Sequence, residues 1–121
     1  NAEFKQSGRE WFAAYASKAA GAVAFTYHEY SLGDGPKLDP AKLDASFLNP
    51  AQLDRSGAGA AALQAALRAA LGNHSRPPLW AGESAAANNG GQSGLTDTFA
   101  DSFWYLDQLG SLAATNVSVF L

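Results

Sequence analysis

A chain of 121 residues that is 47% hydrophobic and carries a formal charge of -3 has enough apolar material for a modest core and too little net charge for a disordered tail. Its 8 Lys and Arg are scattered, which excludes nucleic acid as an expected partner, and Gly, Lys or Glu breaks every apolar run short of the roughly 18 residues of a membrane span. With no cysteine there is neither a disulfide framework nor a thiolate metal site to expect, and the redox compartment is left open.

In chain order, Trp11, Phe12, Tyr15 and Ala19 recur at helical spacing, so a first helix is predicted over residues 9–20, ended by Gly21. Residues 22–27 (AVAFTY) read as a strand buried on both faces. Residues 31–50 are dense in Gly, Pro and Asp and read as a long excursion with one short helical turn, a kind of loop that tends to be functional. Residues 56–71 are alanine-rich with Leu63, Leu67 and Leu71 four apart, and Gly72 stands where a C-terminal cap belongs, so a close-packing helix is predicted. Pro77 and Pro78 keep that helix from resuming, and residues 79–82 read as a second strand. After a glycine-rich loop, Thr96 is expected to cap a helix over residues 97–109, with Phe99, Phe103 and Leu106 on one face and Gly110 as its stop. The terminal TNVSVFL reads as a third strand, and Trp80, Trp104 and Tyr105 are expected in the core.

The alternation of helix and strand is the pattern of a parallel sheet with crossover helices. Such sheets carry their sites at the C-terminal strand ends, where His28, Glu29 and Tyr30 close the first strand and Glu83 closes the second. Each has a plainer reading: a glutamate after a strand is commonly a solvated loop residue, and a lone His or Tyr commonly a hydrogen-bonded packing residue. Asn89-Gly90-Gly91 has the composition of an anion-binding nest but lacks the Lys-Ser/Thr of a phosphate loop and the spacing of a dinucleotide fingerprint. No His-Glu pair has metal-ligand spacing, so neither a metal nor another cofactor is expected. Of the sequons at Asn73 and Asn116, the second is discounted because it falls in an expected buried strand. A start at Asn1 leads us to expect a processing site or boundary upstream.

The segments YHEY, SFLNPAQLD and LWAGESAAANNGGQSGLTDTFADSFWYLDQLG resemble the C-terminal part of the catalytic barrel of heparanase-like enzymes, the endo-β-glucuronidases of glycoside hydrolase family 79. The diagnostic parts are Trp80-x-Gly82-Glu83, the Gly90-Gly91 pair, and Asp97-Thr98-Phe99 leading to Leu106-Asp107-x-Leu109-Gly110. The resemblance implies an α/β fold: part of a (β/α)8 barrel, roughly strands six to eight with their helices, so that residues 1–121 are a fragment of one catalytic barrel. It implies Glu83 as the catalytic nucleophile, His28 and Tyr30 lining the site and orienting it, and Gly90 in the loop whose amides meet the acidic sugar. The sequence departs from the family pattern at Asn88, where the human-type enzyme has an aromatic residue, and at Asn89, where it has glycine, which puts the substrate subsites in question.

A retaining glycosidase needs a second carboxylate about 5 Å from the nucleophile, acting as acid and then as base. In the family that glutamate follows an asparagine, and no Asn-Glu dipeptide occurs here, so the chain alone is expected to be inactive and to need the rest of the barrel from upstream sequence or another chain. The implied partner is an acidic polysaccharide or proteoglycan glycan, and the implied location is secreted, extracellular or lysosomal/vacuolar. The competing readings are a non-catalytic carbohydrate-binding or structural remnant of such a barrel within a larger assembly, and a freestanding small α/β binding module, which open parallel strand edges disfavour.

Overall fold

The computed structural model of the protein describes residues 6–19, 21–42, 45, 47–72 and 76–121. The Asn73 sequon lies outside them. Helix α1 (Gln6–Lys18) leads into strand β1 (Phe25–Tyr30), then 3-10 turns at Gly35–Lys37 and Pro40–Lys42, helix α2 (Pro50–Leu71), strand β2 (Leu79–Ala85), helix α3 (Asp101–Ala114) and strand β3 (Val117–Phe120). The strands form a 3-stranded sheet in the order β1-β2-β3, parallel throughout. The expected parallel α/β arrangement with helical crossovers is therefore present.

The helices cover one face of the sheet. Along β1 burial alternates, with Phe25, Tyr27 and Glu29 facing the helices while Thr26 and His28 face away. The strand thus has one open face, against the expectation of burial on both, and it starts later than expected because residues 22–24 form its approach. From α1 it is Phe12 and Ala16 that enter the core, Phe12 meeting Phe25 edge-on at 5.9 Å, while Trp11 stacks on Tyr15 towards solvent.

Helix α2 begins at Pro50, six residues before the predicted start, because the side chain of Asn49 accepts a hydrogen bond from the Ala51 N–H and Pro50 presets the first turn. Its end is as read: Gly72 has φ 71° and its N–H donates to the Arg68 carbonyl. Small residues on its inner face let α3 approach closely, since a side chain at Gly57 would strike Ser111. Leu63 and Leu67 complete this core with Leu79, Ala81 and Leu112, and burial of a side chain such as Leu63 contributes about 1.5–3 kcal/mol.

Helix α3 departs most from the prediction. It starts at Asp101, not 97, and runs through Gly110 to Ala114. Thr96 does not cap it; the Thr96 hydroxyl instead accepts from the Gln92 N–H and stabilises the preceding loop. The inward stripe is Trp104, Gln108 and Leu112, whereas Phe99, Phe103 and Leu106 are exposed. Tyr105 is exposed and Trp80 only half-buried, so of the aromatic residues expected in the core Trp104 is the one fully enclosed. A second apolar cluster of Phe47, Ala86, Leu95 and Trp104 lies under the loops at the C-terminal strand ends. Asn116 has φ 60° and is exposed just before β3, which corrects its expected burial. No helix among the described residues is long and apolar enough to cross a membrane.

Candidate active site

Strand β2 continues past Gly82 to Ala85, so Glu83 lies within the strand and not beyond its end. The pairing of β1 with β2 runs Phe25 to Leu79, Thr26 to Trp80 and Tyr27 to Ala81, then shifts so that His28 faces Glu83. Gly82 is the extra residue of this bulge. Side chains alternate along a strand, so regular pairing would send Glu83 to the helix-covered face with Leu79 and Ala81; the one-residue bulge turns it to the open face with His28. Glycine suits the position because a Cβ there would lie 3.3 Å from the Thr26 Cβ.

On the open face, His28 Nδ1 lies 2.7 Å from Glu83 Oε2. The Tyr30 hydroxyl donates to the same carboxylate, and this bond is the main reason the phenol holds its proton more tightly than usual. Two donors from one strand thereby orient a carboxylate on the next. The Glu83 side chain nonetheless keeps 55% of its surface accessible, so the carboxylate is both fixed and reachable. A carboxylate held this way can act as an oriented anion towards an electrophilic carbon, a role that demands a fixed rotamer and an ionised group.

The loops beyond the strands are joined in the same parallel sense. Leu32 N–H donates to the Ala86 carbonyl, Asn88 N–H to that of Gly33, and Gly35 N–H to that of Asn88. A bridge between Asp34 and Asn88 extends the ladder past the strand ends. The Asn89 amide donates to the Asp34 carboxylate at 3.0 Å, and Lys37 pairs with that carboxylate at 2.8 Å. These contacts, the Lys37 bond first, hold the Asp34 carboxyl below the usual range. They anchor a run of left-handed backbone at Asn89 (φ 53°), Gly90 (φ 81°) and Gly91 (φ 73°). Below the loop, the Trp104 indole N–H donates to the buried Ser31 hydroxyl.

A cleft of about 480 Å³ opens between strand ends and loop, lined by Tyr30, Glu83, Asn88, Gly90, Thr96 and Asp101 among others. Among the described residues its titratable lining is acidic or phenolic, with no Lys or Arg. All four candidate residues from the sequence meet here: Tyr30, Glu83 and Gly90 line the cleft, and His28 adjoins it through Glu83. Glu29, which shares the strand end, does not, being buried against Ser56 on the other face. Sequence reasoning missed Asp34 and Asp101. The Asp34-Gly35-Pro36 turn was a usable signal for the first; Asp101 had none, since the predicted helix started too early to place it at the mouth of the cleft.

The sequence matches the family described as glycosyl hydrolase family 79, N-terminal domain, over residues 4–110. It is 35% identical to heparanase-like protein 3 of Arabidopsis thaliana over 84% of this chain and 18% of that protein. It is 39% identical to heparanase-like protein 1 of the same plant over 78% of this chain and 16% of that protein. It is 29% identical to the baicalin-beta-D-glucuronidase of Scutellaria baicalensis over 92% of this chain and 20% of that protein. The chain thus spans a fifth or less of the length of these relatives. Set beside an oriented glutamate at the C-terminal edge of a parallel sheet, the match over residues 4–110 leaves one conclusion, that this chain belongs to glycosyl hydrolase family 79.

Proposed function

We propose that this chain supplies the nucleophile side of a retaining β-glucuronidase acting on glucuronic-acid-containing glycans. Glu83 attacks the anomeric carbon, Tyr30 and His28 hold its carboxylate in line, and the backbone amides around Gly90 receive the sugar. The observation that carries the reading is the doubly held yet accessible carboxylate of Glu83, turned to the open face by a bulge. Family membership supports the reaction class, and the name of the Scutellaria relative supports a β-linked glucuronic acid.

In this reading the strands are the sixth to eighth of a (β/α)8 barrel, whose other strands, with the acid/base glutamate, come from the rest of the polypeptide or another chain. The open edges of β1 and β3 are where neighbouring strands would add, and the open face becomes the barrel interior. Passage through a secretory or vacuolar compartment is part of the proposal, supported by the exposed Asn116 sequon. The test uses the complete polypeptide and a fluorinated glucuronide with a good leaving group, followed by mass spectrometry of the peptides. A glycosyl adduct on the Glu83 peptide is expected; an adduct on another carboxylate, or product of inverted configuration, would overturn the assignment.

A further inference from the structure

An acidic sugar entering this cleft meets Glu83 and Asp101, and the described residues of this chain that line it include no cation. If both carboxylates stayed charged, a third negative charge beside them would be repelled. Asp101 is placed to relieve this. It lines the cleft from the first turn of α3, is half-buried, and its Oδ1 is enclosed without a hydrogen-bond partner. A carboxyl group with one oxygen stripped of water and given no donor is poorly stabilised as an anion.

Resting on the β-glucuronidase reading, we infer that Asp101 is a specificity-determining residue that takes up a proton when an acidic sugar binds and donates it as a hydrogen bond to the sugar carboxylate. The proton comes from solvent and stays on Asp101 while the sugar is bound; no covalent bond changes. Burial already raises the proton affinity of Asp101 above that of an ordinary aspartate. The other groups around the cleft are Tyr30 from β1, Glu83 from β2, and in the adjoining loops Asp97, held by Ser93 and Gly94, and Asp34, held by Lys37 and Asn89. The N–H groups of the first turn of α3 are spent on the carbonyls of Thr98, Phe99 and Ala100, so the helix start offers the Asp101 carboxyl no donor to offset its burial.

The test measures binding of para-nitrophenyl β-D-glucuronide and the matching glucoside to the complete polypeptide carrying Glu83→Gln, so that turnover is silent. Calorimetry in buffers of different ionisation enthalpy counts the protons taken up. We expect close to one proton per glucuronide above the Asp101 titration, none per glucoside, and a glucuronide Kd that rises about tenfold per pH unit there. Adding Asp101→Asn should remove both the proton uptake and the pH slope for glucuronide while leaving the glucoside Kd unchanged; Asp101→Ser, which keeps a polar residue at the helix start, should behave alike. Proton uptake or slope unchanged by these variants would overturn the inference and leave the functional reading standing. Equal weakening of both sugars would also overturn it, by assigning Asp101 a structural role. Failure of the Glu83→Gln protein to bind any glucuronide at any pH would sink the functional reading, and this inference with it.

Discussion

Glu29 and Glu83 lie on neighbouring strands, one step apart in register, and the structure treats them oppositely. Glu29 is 2% exposed, packed under the helices, and accepts a hydrogen bond from Ser56 at 2.9 Å. Burial raises its proton affinity, with the Ser56 bond and the Arg55 charge only partly compensating. Glu83 faces the open side with His28 and Tyr30 as donors. The covered face penalises ionisation of Glu29, whereas the open face leaves a donor-held carboxylate within reach of solvent. What assigns Glu83 to that face is a backbone irregularity at a single glycine.

The comparison is broken most forcefully at Glu83. In the complete polypeptide, Glu83→Gln should lower kcat by on the order of a thousandfold or more, because an amide cannot supply the attacking anion, whereas Glu29→Gln should leave kcat within a few fold. Steady-state kinetics on a glucuronide decides this, and equal losses would show that the two faces are not functionally distinct. Tyr30→Phe removes one of the donors to Glu83 and should lower kcat by roughly 10-fold to 100-fold with a smaller change in KM, since the bond fixes the attacking rotamer and strengthens as charge returns to the carboxylate when the glycosyl-enzyme is hydrolysed.

Gly82→Ala tests the bulge itself. The added methyl presses on Thr26, so we expect a loss of several-fold in kcat/KM together with about 1 kcal/mol of stability in denaturant titration. A full stability loss without a kinetic effect would mean that the bulge does not aim Glu83. The smallest effect is the pH dependence of Glu29. Because its folded-state pKa is raised, the folded protein holds the proton over a range where the unfolded chain has released it, so its contribution falls as pH rises from the ordinary glutamate range through the raised value. Glu29→Gln should flatten that decline by about 1 kcal/mol or less across the interval, measured as midpoint against pH.

The juxtaposition of His28, Tyr30 and Glu83 is legible in the sequence. His28, Tyr30 and Glu83 sit at the ends of apolar β-forming runs, and a parallel sheet brings such ends together whatever the loops do. Boundaries were less legible, for local reasons that can be named. The Asn49-Pro50 start of α2 was absorbed into a loop rich in turn residues, and Thr96 looked like a cap although its hydroxyl serves the loop before the helix. That early start made Phe99, Phe103 and Leu106 look like one packing stripe, when the helix presents Trp104, Gln108 and Leu112 to the core.

The sequence by itself determined the order of elements and the parallel sense of the sheet, because hydrophobic periodicity and Gly and Pro stops act over a few neighbours, while the choice of Glu83 among the carboxylates at the strand ends came from the family resemblance. Only the tertiary structure decided which face Glu83 occupies, that Asp34 anchors the glycine loop through Asn89, and that Asp101 enters the cleft. Each of these depends on register between segments dozens of residues apart. A one-residue bulge reverses a side chain without leaving a mark in composition, and the pairing that creates it exists only once β1 and β2 lie side by side.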